Sequence, residues 1–281
     1  MGNSIFSTCV GYGPEKVENF IVTCRRVFEG DIHVIAAQVP VETIALLKRY
    51  AVHVHLSDVA FGKYHGANEA RYPIYWQVIE SNGLKFDHAL ICDIRDVIFQ
   101  SDPFAFSSQK PALKFFTEDR VIAECDVNAS WMLRCYGSDV LGRLGHNTIC
   151  CSGTVMGSYE GITSYLDAMH EEICRTIPYH GSDQVRLNYL INTGRFPDAV
   201  LQKNRTGEVQ TLHHQKVLAF SRDGLLVNDD GRVCPVIHQY DRHVRFFPLF
   251  DALAKSSSGP TRSHSTCSES IDPQGRNLGS G

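Results

Sequence analysis

In the stretch DHALICDIRDVIFQSDPF, Asp93, Arg95 and Asp96 follow directly on the apolar run Ala89-Leu90-Ile91-Cys92 and give way at once to Val97-Ile98-Phe99. Charges that abut a buried strand need partners, and the available ones are a cation, each other, or a ligand. Carboxylate oxygens suit a hard divalent cation. The plainer alternative is that Asp93 and Asp96 flank Arg95 in a local ion pair. A third carboxylate, Asp183 in HGSDQVRLNYLI, stands near the expected start of a helix. The dipole there keeps it ionised, fit to take a proton or to support a developing positive charge. An ordinary first-turn Asp has the same surroundings.

These residues need elements to hold them. SIFSTCVGYG reads as a first strand ending in Gly11 and Gly13, and PEKVENFIVTCRRVF as a helix opened by Pro14. DIHVIAA is a second strand, VETIALLKRYA a second helix and VHVHLSD a third strand. NEARYPIYWQVIESNG carries a helical pattern interrupted near Pro73 and closed by Asn82-Gly83. HALICD, the fourth strand, delivers Asp93 and Asp96 at its carboxyl end, where open α/β sheets bind ligands. Further on, ICCSGTVMGS looks like a strand broken by Gly153 and Gly157, and Tyr159 to Thr176 like a helix. GSDQVRLNYLI is a helix with Ser182 or Gly181 near its cap, and CPVIHQYDRH a short strand or loop carrying His238, Asp241 and His243. The alternation predicts an α/β fold, a mixed and mostly parallel sheet flanked by helices in a single domain over residues 1–254. From Lys255 the chain is Ser/Gly-rich and nearly free of aliphatics, which predicts a disordered tail over residues 255–281.

Composition narrows the partners. The 281 residues are 43% hydrophobic, enough for a large core, and the net charge of -4 comes with no stripe of Lys or Arg, so nucleic acid is not an expected partner. No run of about 18 apolar residues predicts a membrane span. No basic region followed by a long apolar segment marks a secretory signal. Most of the ten cysteines, Cys24, Cys92, Cys150, Cys151 and Cys174 among them, sit in apolar runs where a reduced thiol packs as a small hydrophobe. A reducing, cytoplasmic setting is the expectation. His213-His214 with Cys234 and His238 lacks the paired spacing of a zinc site. GYGPEK lacks the Gly-Lys-Ser/Thr of a phosphate loop, and Ser152 lacks the Gly-x-Ser-x-Gly elbow of a hydrolase. Trp76 and Trp131 read as core or rim aromatics.

Four stretches taken together resemble the nucleotide-sugar-dependent glycosyltransferases of the GT-A fold, in the branch that holds glycogenin and the bacterial lipooligosaccharide galactosyltransferases. CDIRDVIFQSDPF is similar to the family's Asp-x-Asp strand end with a later Asp-Pro, here Asp102-Pro103. It departs in one respect: two residues separate Asp93 from Asp96, so either the turn is longer or a single carboxylate binds metal. CCSGTVMGS is similar to the strand lining the donor pocket, HGSDQVRLNYLI to the Asp-Gln helix start near the transferred sugar, and VIHQYDR to the late His that completes the metal site. Their order agrees over roughly residues 5–250.

The resemblance implies a GT-A-like, Rossmann-like domain that moves a sugar from a UDP- or GDP-sugar to a hydroxyl of a glycan or other acceptor. It implies Mn²⁺, or Mg²⁺, on Asp93, Asp96 and His238, the imidazole nitrogen favouring Mn²⁺. Asp183 would be catalytic, and Tyr12, Arg71, Arg95, Ser152, Gly153 and Gln184 would contact the donor. Arg71 suits a diphosphate as a planar donor fork, or is a solvated helix arginine. Tyr12 would stack on a base, or its flanking glycines merely form a turn. Two other readings stand beside this one. A sugar nucleotidyltransferase would need a Gly-rich, basic N-terminal loop that STCVGYGPEK does not supply. A nucleotide-sugar- or glycan-binding pseudoenzyme would result if the stretched Asp93-x-x-Asp96 no longer held metal.

Overall fold

The computed structural model describes residues 1–58, 66–176, 181–242 and 245–255. Its first half is the expected alternation: β1 (Ser4–Val10), α1 (Pro14–Val27), β2 (Asp31–Ala37), α2 (Val41–Arg49), β3 (His53–Leu56), α3 (Ala67–Ser81), β4 (His88–Cys92) and β5 (Val97–Phe99). Then come β6 (Leu113–Val121), α4 (Asp126–Tyr136), α5 (Ser138–Leu144), β7 (Thr148–Ser158), α6 (Tyr159–Arg175) and α7 (Ser182–Asn192). Five short strands and a helix follow: β8 (Val200–Gln202), β9 (Val209–Thr211), β10 (Ala219–Phe220), β11 (Leu226–Val227), β12 (Val236–His238) and α8 (Phe247–Lys255).

The main sheet has seven strands in the order β3-β2-β1-β4-β7-β6-β8. The β1, β2, β3 and β4 pairings are parallel, as is β6 with β8, while β7 runs antiparallel to both β4 and β6. The fold is thus mixed α/β with a mostly parallel sheet, compatible with a Rossmann-like arrangement. Strands buried on both faces should be continuously apolar, with alternate residues serving opposite sides. Ile5, Cys9, Ile32, Val34, Leu90 and Cys92 pack with α1 and α2 residues such as Phe20, Ile21 and Leu47. Phe6, Ile35, Ala89 and Ile91 turn the other way, onto Tyr72, Tyr75 and Ile79 of α3 and Ile162, Tyr165 and Leu166 of α6. Buried Cys9, Cys150 and Cys234 are core thiols whose pKa burial lifts to about 12. Cys174, in contrast to the expectation, is exposed.

Several local expectations change. The helix expected to be interrupted near Pro73 is continuous, because one missing amide donor is outweighed by Tyr72, Ile74 and Tyr75 buried around it. The strand expected to break at Gly153 and Gly157 is one element of eleven residues. It is irregular instead: from Phe115↔Val155 to Thr117↔Cys150, β6 advances two residues while β7 advances five, so β7 bulges over residues 151–154. Lys255, expected to begin the tail, closes α8, which Arg26 anchors by donating to the Leu253 and Ala254 carbonyls. The rest of the expected tail, and His243, lie outside the described residues. No described helix is long and apolar enough to cross a membrane.

Candidate metal and ligand site

The strand order turns about β1, with β2 on one side and β4 on the other, and the carboxyl ends of β1 and β4 open a cleft there. β1 ends at Val10, and Gly11 after it has a left-handed φ of 68°, a conformation glycine adopts without the Cβ clash that other residues meet. Tyr12, immediately after it, faces the cleft. β4 ends at Cys92, and Asp93 is pinned by its amide donating to the Gly153 carbonyl at 2.9 Å. Asp93 and Asp96 then sit in the turn before β5. β5 pairs with β12 in the register Val97↔His238, which sets the late histidine beside Asp96.

His238 Nε2 lies 3.5 Å from Asp93 Oδ2 and 3.9 Å from Asp96 Oδ1. One atom from each of the three lies within 4.8 Å of the others, the only such group among the described residues that could hold a metal ion. Each carboxylate divides its labour. Asp93 Oδ1 accepts from Arg71 Nη1 at 2.7 Å, and Asp96 Oδ2 from Arg95 Nη2 at 2.9 Å, leaving one oxygen of each turned to the imidazole. The Arg95–Asp96 ion pair therefore still leaves one oxygen of each carboxylate facing a place where a cation could be held, and the two-residue separation does not keep the carboxylates apart. On its far side, His238 Nδ1 meets Thr211 Oγ1 at 3.4 Å and Cys151 Sγ at 3.7 Å. Nε2 is fully buried and has no hydrogen-bond partner among the described residues. A buried ring nitrogen without a proton partner, faced by two carboxylate oxygens, fits a divalent ion.

The local field is uneven. Burial pushes the Asp93 carboxyl up, but Arg71 and His238 outweigh it and hold the pKa at about 2. Asp96 is raised, by burial first and by the neighbouring Asp93 charge, against the pull of His238 and Arg95. Burial opposes a charge on His238, yet Cys151, Asp93 and Asp96 together raise its pKa.

Asp183 enters the cleft from the first turn of α7, after Gly181 in the left-handed conformation. Its Oδ2 accepts from Arg71 Nη2 at 2.6 Å and from the Tyr72 hydroxyl at 3.2 Å. Arg71 is thus no solvated helix arginine: it is buried and also donates to the Ser152 carbonyl at 2.8 Å. Gln184 donates to Asn128 at 2.9 Å, and its Oε1 lies 3.4 Å from the Ser152 amide.

Tyr12, Arg71, Asp93, Arg95, Asp96, Ser152, Gly153, Asp183 and Gln184 all line one cleft of about 350 Å³, with His238 just beneath them. Other residues complete its wall. Trp131, on α4, stands against Gly181 and is a cleft aromatic, whereas Trp76 is exposed on α3 away from it. Arg242 and Gln239 also line it, within the VIHQYDR stretch already singled out. Glu69 lies behind the cleft, accepting from the Ser182 amide at 3.1 Å and hydroxyl at 2.9 Å to hold the start of α7. No protein-family model matches the chain, and no curated protein does.

Proposed function

We propose that the chain is a metal-assisted glycosyltransferase of GT-A type, moving a sugar from a nucleoside-diphosphate sugar to a hydroxyl of a glycan or other acceptor. The observation that carries this reading is the buried His238 Nε2, without a hydrogen-bond partner among the described residues, facing one oxygen each of Asp93 and Asp96 at the floor of a polar cleft at the carboxyl ends of β1 and β4. Those three residues would hold Mn²⁺ or Mg²⁺, the imidazole nitrogen favouring Mn²⁺. A divalent ion there supplies Lewis-acid neutralisation of a departing diphosphate.

The residues of the chain do the rest. Arg95 and Arg242, both partly exposed on the cleft wall, offer planar donors to phosphate oxygens. Arg71 is held by Asp93, Asp183 and the Ser152 carbonyl, so in this reading it fixes the carboxylates instead of reaching the donor. Tyr12 offers its ring to the base. The acceptor oxygen bonds to the anomeric carbon as the bond to the diphosphate oxygen breaks and its electron pair leaves with the diphosphate. Asp183 takes the hydroxyl proton or supports the cation that develops.

A second reading, a nucleotide-sugar-binding pseudoenzyme, draws on the occupation of Asp183 Oδ2 by both Arg71 and Tyr72. One experiment separates the two. Melting midpoints are measured against UDP-, GDP-, CMP- and dTDP-sugars with Mn²⁺ or with EDTA, and release of the free nucleotide (the diphosphate, or CMP from CMP-sugars) is followed in parallel. A metal-dependent rise with one donor and release of diphosphate, both lost in Asp93→Ala and Asp96→Ala, supports the transferase. A rise without release in the presence of varied hydroxyl acceptors supports the pseudoenzyme. No rise with any donor sinks both.

A further inference from the structure

A second cleft, of about 150 Å³, shares no lining residue with the first. It lies beside β6 and β8, and at its wall two opposite charges are buried together. Lys114 Nζ donates to Glu208 Oε1 at 2.7 Å, with side-chain exposures of 6% and 3%. Taking an ion pair out of water costs several kcal/mol per ion unless the remaining lone pairs and protons are also satisfied. Here they are not. Glu208 Oε2 is buried with no partner among the described residues, and an ammonium carries three donors where one hydrogen bond is formed.

The rest of the wall is of mixed polar character. Ser107, Gln202 and Thr206 bring hydroxyls and an amide, and the Arg232 guanidinium lies over the Phe106 ring at 3.8 Å. An anion placed here would face Glu208 and a simple cation would face Lys114. A group that accepts and donates at adjacent positions satisfies both, which is the chemistry of neighbouring hydroxyls. The volume corresponds to about five waters at ~30 Å³ each, so a pyranose would fill it with part of its rim left in the open mouth. We propose that this cleft binds a neutral polyol, such as one monosaccharide unit, through Lys114 and Glu208, at a site separate from the metal-bearing cleft. The site stands on the unsatisfied ion pair and does not depend on glycosyl transfer.

The test is amide chemical-shift mapping on the full chain, titrated with methyl α-glucopyranoside and with myo-inositol, and with acetate and methylammonium as charged controls. Saturable shifts centred on Lys114, Gln202 and Glu208 with the polyols and not with the controls are expected. The double variant Lys114→Met/Glu208→Leu removes the pair without stranding either charge, so it should remain folded and lose at least about tenfold in polyol affinity. Ser107→Leu leaves the pair in place and narrows the cleft, and it should weaken the shifts too. Absence of polyol shifts, equal shifts in the double variant, or a response to acetate alone would overturn the proposal. The metal-dependent donor response of the first cleft should be unchanged in all these variants, so the two readings stand or fall separately.

Discussion

Gly153 lies so close to His238 that a Cβ at this position would fall 2.6 Å from the imidazole Cε1, 2.8 Å from its Nε2, and 2.5 Å from Asp93 Oδ2. The β7 bulge delivers bare backbone to the place where two metal-ligating candidates converge. Gly153→Ala must therefore move one of them, and Mn²⁺ affinity, read by electron paramagnetic resonance titration, should fall by about 10- to 100-fold. Gly142, in α5 with open space around it, is the control: Gly142→Ala should leave Mn²⁺ binding alone and stabilise the helix by roughly 0.5–1 kcal/mol.

Arg71 is shared by Asp93, Asp183 and the Ser152 carbonyl. Arg71→Met strands a buried Asp183 carboxylate and should cost about 3–5 kcal/mol in urea unfolding. Arg71→Lys restores the charge but not the fork, since a point ammonium cannot reach three separated acceptors in one plane. It should recover only part of the loss, and full recovery would show that charge alone matters.

His33 is buried between Phe6 and His53, stacked on both, with its Nδ1 3.1 Å from His55 Nε2. Burial chiefly, with the His53 and His55 charges behind it and Asp31 opposing, lowers its pKa from 6.5 to about 4. Between those values the unfolded chain holds a proton that the folded one refuses. Stability should therefore rise with pH across that window and be lost as pH falls from 6.5 toward 4, by at most about 1.4 kcal/mol per pH unit. His33→Leu should flatten this part of the pH profile of the melting free energy. An unchanged slope would rule His33 out as its source.

Gln239 adopts a φ of 58°, lines the cleft of Asp93 and Asp96, and has a buried Oε1 without a partner among the described residues. A left-handed non-glycine residue costs of order 1–3 kcal/mol and tends to be kept where a site needs it. Gln239→Gly relieves the strain, so the melting midpoint should rise while donor-induced stabilisation falls. A variant that is both more stable and equally responsive to donor would assign Gln239 no part in binding.

The elements that carry the site were legible in the residue order to different depths. The short, largely apolar segments around Ile5, Ile32 and Leu90 read as strands buried on both faces, and alternate residues of each do meet helices on either side. An Asp pair at the end of such a run announced a ligand or a counter-ion. The sequence could not choose between these, since the choice depends on which oxygen of each carboxylate meets which neighbour. Tertiary structure decided that through three long-range events. The Val97↔His238 register brought in the imidazole, the β7 bulge brought in Gly153, and α3 brought Arg71 across both Asp93 and Asp183. The Lys114–Glu208 pair left no local trace, because it is not defined by spacing along the chain. Periodicity is a property of neighbours in sequence and survives in the sequence alone, whereas a site is a coincidence of distant residues that only the packed sheet can enforce.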